Sequence, residues 1–333
     1  MHAFEYKLSK IAMEAFIFSV NSVSPLFLII AIGWLLRKSG MIGQSIIDGL
    51  NTITFNVGLP ILLFRDMAKS DLFYIFAPSF ILYALLSTLV LFILCWVFAE
   101  LFIKDKSTIG SFVQGCYRGN YAIVGLLLTT SVLGHPGKSP LIIAFAVPLY
   151  NILAIILLSA RSKTPQPIRL SKIMLGIAKN PLIIGILCGL PFALLQIPLF
   201  TMSETKFVAT AIDYMAVSAN PLALLAIGAA INFDKLKAAI RKVLTAALIK
   251  LFIGPLLCTG LAYLLRNTLH FSGEDLLVLF VLYGVPTAVA SYVMASKMNN
   301  DADLAADIVL VTSVVSLFSL TFGIYIFKAT GVI

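Results

Sequence analysis

Residues 113–128 read Val-Gln-Gly-Cys-Tyr-Arg-Gly-Asn-Tyr-Ala-Ile-Val-Gly-Leu-Leu-Leu, and they lie inside an apolar segment long enough to cross a lipid bilayer. An arginine, an asparagine and three glycines interrupt this stretch. An arginine at the centre of a bilayer costs about 2.5 to 3.5 kcal/mol even on a lenient insertion scale. Arg118 is therefore expected to face protein, water or a ligand, and the stretch predicts a broken helix.

Composition places the chain among multi-pass membrane proteins, because 60% of its 333 residues are hydrophobic and 12% are charged. A soluble domain has about 25% charged residues. The net charge of +9 is explained better by loop cations that set membrane orientation than by binding to a nucleic acid. The scattered histidines and cysteines have no ligand spacing, so neither a metal site nor a cofactor is predicted. Enzyme motifs such as HExxH, GxSxG and GxxxxGK are absent, and the chain is not predicted to be an enzyme.

Apolar segments predict an all-α fold with ten transmembrane helices, because each crossing needs about 20 apolar residues. The predicted spans are residues 15–36, 46–64, 72–102, 109–133, 140–160, 174–196, 207–232, 240–265, 275–297 and 304–328.

Loop charges predict the orientation of these spans. Alternate loops hold most lysines and arginines, including Arg37, Lys38, Lys104 and Arg161, and the positive-inside rule makes these loops cytoplasmic. Both termini are then expected outside the cytoplasm of a bacterial inner membrane.

The basic connection 161–172 divides the chain into two repeats, residues 1–160 and 173–333. Five spans in each half give the halves opposite orientations, which is the condition for a 5+5 inverted repeat. Internal similarity is weak but ordered: Tyr117 and Ala122 recur as Tyr283 and Ala288. In each half the interrupted span is the fourth, which makes the fourth and ninth spans the predicted pair of broken crossing helices.

The ninth span contains Gly284-Val285-Pro286-Thr287. Proline lacks an amide proton and clashes with the preceding helical turn, so an interruption here has a specific cause. A simple proline kink is the alternative for this span alone. Two interruptions at matching positions favour a binding site where the two helices cross.

Such a crossing favours an anion, because helix starts near Asn120 and Pro286 direct partly positive N–H groups to the midplane. Arg118 adds a full charge that can bind a carboxylate through two hydrogen bonds, although a structural pairing with backbone carbonyls remains open. Asn56 and Asn151 either bond neighbouring helices or donate to a carboxylate. The predicted substrate-binding residues are Arg118, Asn120, Tyr121, Asn151, Val285, Pro286, Thr287 and Asn56.

Three further charged residues have open roles. Lys250 lies deep in the eighth span and needs a carboxylate, a carbonyl cage, a substrate or a lowered pKa. Asp303 and Asp307 share one face at the start of the tenth span. They are either a solvated helix start or, for Asp307, a partner of Lys250 or a proton carrier.

Short motifs in order along the chain resemble the auxin efflux carrier family, which includes bacterial malate or malonate permease-like members and plant PIN-type auxin carriers. The matching pieces are Asn56-Val-Gly-Leu-Pro60, Arg118-Gly-Asn120, Leu248-Ile-Lys-Leu251, Val285-Pro286-Thr-Ala288 and Val311-Thr-Ser313. One departure follows Gly125, where many relatives carry a proline and this chain has Leu126-Leu127.

The resemblance implies a scaffold of spans 1, 2, 6 and 7 and a moving transport domain of spans 3–5 and 8–10. It also implies an elevator-like displacement of the transport domain, a basic functional position at Lys250, and a homodimer formed through the scaffold.

These observations predict a secondary active transporter of small organic anions, such as malate, malonate or auxin-like acids, in contact with membrane lipid. A sodium- or proton-coupled symporter or antiporter of the related bile-acid or sodium/proton exchanger fold is the alternative, and it would need an acidic ion site, which the crossing lacks in the sequence. A channel or ligand-sensing receptor would need a continuous polar pore lining or a signalling domain, and the sequence shows neither.

Overall fold

The structure, a computed structural model, describes residues 28–69, 77–135, 137–162, 181–231 and 233–333, with Met13, Pro25 and Lys179 as isolated positions. Across these residues the chain is helical, and no strand is formed. Most of the predicted linker 161–172 and of the first span lies outside the described residues.

Among the described residues, six helices are long and apolar enough to cross a membrane. They are α2 (Gln44–Ala68), α3 (Pro78–Phe102), the Ile142–Ala160 part of α6 (139–160), α8 (Lys206–Ala230), the Leu236–Leu264 part of α9 (233–264) and α12 (Ala302–Ala329). Many of their large apolar side chains are exposed, among them Leu86, Leu256 and Phe322. The chain is thus a multi-pass membrane protein, and its exposed apolar surface faces lipid rather than water.

The remaining helices are shorter. They are α1 (28–38), α4 (Ile109–Tyr117), α5 (121–133), α7 (Pro181–Leu194), α10 (Gly273–Gly284) and α11 (Ala290–Lys297), together with the short helical turns Lys106–Thr108 and Arg266–Leu269. Helices α4 and α5 cover the predicted fourth span, and α10 and α11 cover the ninth. The residues between each pair are not helical, so the polar and proline-containing stretches coincide with helix ends.

Wide π-helical turns mark four places, at Thr54–Gly58 in α2, Tyr121–Gly125 in α5, Ile142–Ala146 in α6 and Ile249–Ile253 in α9. Pro60, Pro148 and Pro255 follow three of them by two residues. A proline cannot donate to the carbonyl four residues earlier and its ring crowds that carbonyl, so a widened turn accommodates it. Helix α8 also contains Pro221, yet it continues without a break from Lys206 to Ala230.

Two large hydrophobic clusters form most of the interior among the described residues. The larger joins α3, α4, α5, α9 and α10 with parts of α6 and α12. The smaller joins α2, α7, α8 and α11 with other parts of α6 and α12. Because α6 and α12 contribute to both clusters, they lie between the two groups of helices.

Candidate functional site

The two non-helical segments cross each other through their backbones. The amide of Asn120 donates to the Pro286 carbonyl at 2.8 Å, and the amide of Ala288 donates to the Arg118 carbonyl at 3.1 Å. Gly119 and Thr287 thereby form an isolated antiparallel bridge. This pairing holds the ends of α4 and α10 and the starts of α5 and α11 at one place.

Gly119 allows this close approach. A Cβ atom at this position would lie 2.8 Å from Val285 Cγ2 and 3.0 Å from the Leu282 carbonyl oxygen. Contacts below about 3 Å force atoms apart. Gly284, at the end of α10, is less crowded, because its nearest neighbour would be Leu320 Cδ2 at 3.3 Å.

One carbonyl near the end of α4 and one near the end of α10 accept a hydrogen bond from a side chain elsewhere in the chain. The Thr287 hydroxyl donates to the Gly115 carbonyl at 2.7 Å, and the Thr287 amide donates to Thr312 Oγ1 at 3.1 Å. The Lys250 ammonium donates to the Tyr283 carbonyl at 2.6 Å. A cation at a helix C-terminus complements the negative end of the helix dipole.

Arg118 is buried, with 4% of its surface exposed. Its Nη2 donates to Asn151 Oδ1 at 2.6 Å, and its Nη1 lies 2.7 Å from Met294 Sδ. Asn151 is held in turn by donation from its Nδ2 to the Val147 carbonyl at 2.9 Å. Within the part of the chain that the structure describes, no carboxylate pairs with Arg118. Guanidinium has five N–H donors, so several remain for a ligand.

A cavity of about 60 Å³ lies between this crossing and helices α2, α7 and α8. Its lining comprises Leu59, Leu62, Leu63, Asp66, Arg118, Gly119, Asn120, Tyr121, Val147, Tyr150, Asn151, Leu182, Asn220, Ala288 and Ala290. One water needs about 10 to 15 Å³ of such volume, so the cavity holds a few waters.

Four predicted substrate-binding residues line this cavity, namely Arg118, Asn120, Tyr121 and Asn151. The Asn120 side chain makes no cap hydrogen bond and is 8% exposed. Tyr121 shares a hydrogen bond of 2.7 Å with the Ser139 hydroxyl.

The second interruption meets the cavity differently. Val285, Pro286 and Thr287 are buried and do not line it, whereas Ala288 and Ala290 do. Asn56 is exposed, donates to the Thr52 carbonyl at 3.0 Å and lies outside the cavity lining.

Lys250 is fully buried beside Gly119, with its Nζ 3.2 Å from where a Gly119 Cβ would lie. It contacts the Tyr283 carbonyl rather than Asp307. Asp307 is buried near the start of α12 and Asp303 is partly exposed one turn earlier. Of the alternatives open for Lys250, the structure shows a backbone carbonyl as its partner.

The sequence alone missed Asp66 and Asn220, which also line the cavity. Asp66, on α2, lies beside the crossing rather than in it and accepts two hydrogen bonds from Arg65, at 2.9 Å from Nε and 2.7 Å from Nη2. Asp66 and Asn220 belong to spans that are distant in sequence from the crossing. For Asp66 the available signal was the Arg65-Asp66 pair at the end of an apolar segment. Among the described residues, no group of three or more His, Cys, Asp or Glu could hold a metal ion.

One known protein family matches the part of the chain that contains the whole site. Residues 18–324 match the model of a family described as membrane transport protein. An uncharacterized transporter from Methanothermobacter thermautotrophicus is 22% identical over 306 residues, covering 92% of this chain and 97% of that protein. A Rhizobium meliloti protein described as a proposed malonate transporter is 25% identical over 317 residues, covering 92% of this chain and 95% of that protein. An uncharacterized transporter from Methanocaldococcus jannaschii is 23% identical over 323 residues.

Proposed function

This chain belongs to the membrane transport protein family, and we propose on that premise that it is a secondary active transporter of small organic anions. The family resemblance predicted from the short motifs is confirmed by the match. Membership implies a small-molecule substrate and a membrane location. The substrate class, the mechanism and the binding residues are our proposal.

The observation that carries the anion proposal is the environment of Arg118. A buried guanidinium is stable only when it is paired or hydrogen-bonded, and here its partners are an amide oxygen and a thioether sulfur. A carboxylate entering the cavity would supply the missing charge and accept two parallel hydrogen bonds. The starts of α5 and α11 at the same crossing add partial positive charge that favours the same ligand.

We propose that Asn120 and Asn151 orient the carboxylate and that Lys250, together with Arg118, balances the charge of the bound carboxylate. Asn120 lines the cavity, and Asn151 already contacts the Arg118 side chain. Lys250 does not line the cavity, but its ammonium is separated from it only by Gly119. The charge of Lys250 therefore acts on the site over a short distance, and the interaction is poorly screened.

The proposed architecture is the ten-helix 5+5 inverted repeat with broken crossing helices four and nine. The backbone pairing of the two interruptions supports it. The two hydrophobic clusters support part of the proposed division into scaffold and transport domains, because they separate α2, α7 and α8 from α3, α4, α5, α9 and α10. Helix α11, which the proposal assigns to the transport domain, packs in the same cluster as α2, α7 and α8.

Alternating access by an elevator-like displacement would change the access to this small cavity, because its walls come from both proposed domains. Contacts between α2 and α11 would have to break in that movement. Asn51 Nδ2 donates to Tyr292 Oη at 3.2 Å, and Lys297 Nζ donates to the Asp48 carbonyl at 3.2 Å. Helix α11 also packs with α2 in the smaller hydrophobic cluster, so this apolar contact would have to break as well.

Uptake into proteoliposomes tests the proposal. Labelled malonate, malate and indole acetate are offered to the wild type, Arg118→Ala and Asn120→Ala, with Arg241→Gln as a control that removes an exposed arginine. We expect saturable uptake of at least one acid, lost in both site variants and kept in the control. Wild-type rates in Arg118→Ala and Asn120→Ala would refute the site, and no uptake of any carboxylate would refute the substrate class. Malonate is included because a relative is described in those terms.

Asp66 favours a second candidate, in which transport is coupled to sodium or protons. A carboxylate in the cavity wall is the kind of group that binds a cation or carries a proton. Imposed sodium and pH gradients should then drive uptake in the wild type and fail to drive it in Asp66→Asn. Uptake that ignores both gradients would leave the anion transporter without cation coupling.

The setting proposed for this activity is a bacterial inner membrane, with both termini on the outer face and a homodimer formed through the scaffold. Loop arginines and lysines support this orientation. Accessibility of a single introduced cysteine after Thr330 to a membrane-impermeant label in intact cells tests it, because a cytoplasmic C-terminus would remain unlabelled.

A further inference from the structure

The second half of α9 carries an apolar groove on each of its two sides. One groove, of about 860 Å³, lies between α9 and α3 and is lined by residues such as Leu86, Val90 and Leu257. The other, of about 440 Å³, lies between α9 and α12 and is lined by residues such as Pro255 and Phe322. Leu256, Gly260 and Tyr263 line both grooves, so the two grooves meet along this row of residues on α9.

Both grooves have the length of one leaflet of a bilayer. On α9 the lining runs from Leu251 to Tyr263, which is about 18 Å at 1.5 Å per residue. On α3 it runs from Tyr83 to Leu94, or about 16 Å. Half of a hydrocarbon core is about 15 Å thick. Each groove therefore matches an acyl chain that extends from the interface to the bilayer centre.

A basic side chain lies at the interfacial end of both grooves. The guanidinium carbon of Arg266 is 3.9 Å from the centre of the Tyr263 ring. Neighbouring acidic groups are engaged elsewhere, since Asp275 pairs with Lys138 at 2.8 Å and Glu274 lies 3.5 Å from His135. Among the described residues no carboxylate pairs with Arg266.

We propose that one glycerophospholipid binds here, with its phosphate on Arg266 and its two acyl chains in the grooves on either side of α9. An arginine placed over an aromatic ring still has its N–H donors available for phosphate oxygens, and tyrosine is suited to the membrane interface. Two parallel apolar grooves below a single unpaired cation match a lipid that has two chains and one anionic group. The lipid would bind to the proposed transport domain and move with it.

Native mass spectrometry of the full chain in detergent tests this proposal. The delipidated protein is titrated with dioleoylphosphatidylglycerol, with dioleoylglycerol, which has the same chains and no phosphate, and with glycerol 3-phosphate, which has no chains. We expect saturation at one phosphatidylglycerol per chain and at least tenfold weaker binding of each partial ligand, because each engages only one part of the site.

Two variants separate the headgroup from the chains. Arg266→Gln should weaken phosphatidylglycerol binding about tenfold, whereas Lys206→Gln, which removes an exposed cation at the start of α8, should not change it. Gly260→Trp should reduce binding of both dioleoyl ligands by obstructing the grooves, and it should fold because a Cβ at Gly260 meets no atom within 4 Å. Equal binding of dioleoylglycerol and phosphatidylglycerol, or equal effects of Arg266→Gln and Lys206→Gln, would overturn the proposal.

Discussion

The two helix interruptions meet at one crossing but differ in what they contribute to it. The first, at residues 118–120, contributes side chains, because Arg118 and Asn120 line the cavity. The second contributes contacts to its neighbours, because Pro286 accepts a hydrogen bond from the Asn120 amide and Thr287 is anchored to Gly115 and Thr312, while residues 285–287 do not line the cavity. The difference indicates that the first interruption is suited to recognise a ligand, whereas the second holds the first in shape. Substitutions in the two should therefore separate binding from stability.

The largest effect is expected from Arg118→Gln, which should lower the transport rate at low substrate concentration about a hundredfold. The variant removes charge-assisted hydrogen bonds to the proposed carboxylate, which are the strongest available in the site. Arg118→Lys should lose less, about tenfold, because a lysine keeps the charge without the paired geometry. Labelled uptake in proteoliposomes measures both, and a loss under threefold for Arg118→Gln would assign Arg118 a structural role.

A paired alanine scan at the glycines compares the two interruptions directly. Gly119→Ala should lower the free energy of unfolding by about 1 to 3 kcal/mol, because its Cβ would press on Val285 and the Leu282 carbonyl. Gly284→Ala should change it by less than about 1 kcal/mol, because its nearest neighbour is a flexible leucine side chain. Thermal unfolding in detergent measures both, and equal shifts would mean that the two segments are equally crowded.

Asn120→Ala should weaken the apparent substrate affinity about tenfold and leave the melting temperature unchanged. The side chain lines the cavity and makes no cap hydrogen bond to the described helix. One hydrogen bond to a charged ligand accounts for a loss of that size. A lowered melting temperature with unchanged affinity would reverse the assignment and make Asn120 a structural residue.

Thr287→Val should lower stability and largely preserve substrate affinity, which is the opposite of what is expected for Asn120→Ala. It leaves the buried Gly115 carbonyl without the Thr287 hydroxyl, so the free energy of unfolding should fall by about 1 to 2 kcal/mol. Thr287→Ser should restore most of it, and substrate affinity should stay within threefold in both variants because Thr287 does not line the cavity. A tenfold affinity change in Thr287→Ser would place Thr287 at the ligand.

The smallest effect is expected from Asn56→Ala. Asn56 is exposed and bonds only to the Thr52 carbonyl of its own helix, so both stability and affinity should stay close to wild type. A clear loss of uptake in this variant would show that α2 turns its Asn56 face toward the ligand during transport.

Local sequence predicted the residues whose polarity conflicts with an apolar span. Arg118 and Asn120 conflict strongly with lipid, and Asn151 follows a proline in another apolar span, so all three could be assigned before any contact was known. Asn56 gave the same signal and yet faces away from the cavity. Hydropathy identifies a polar side chain but does not give the rotation of its helix about the helix axis, and that rotation decides which side chains converge.

Asp66 and Asn220 show what local sequence could not supply. They lie on α2 and α8, and they reach the cavity only because these helices stand opposite the crossing. Lys250 was recognisable in the sequence as a charge deep in an apolar span. Its partner is a backbone carbonyl, and residue types do not predict a partner of that kind. Long-range pairing of this kind depends on how helices pack, and many packings satisfy the same hydropathy pattern.

The sequence by itself determined the membrane class, the family and the two interruptions, because the cost of polar groups, glycine and proline in a lipid-exposed helix acts locally. Only the tertiary structure decided that one interruption presents side chains to the cavity and the other makes contacts to its neighbours. It also decided that an aspartate from α2 completes the cavity wall. Those outcomes depend on the relative positions of helices far apart in the chain, and packing rather than local preference sets these positions.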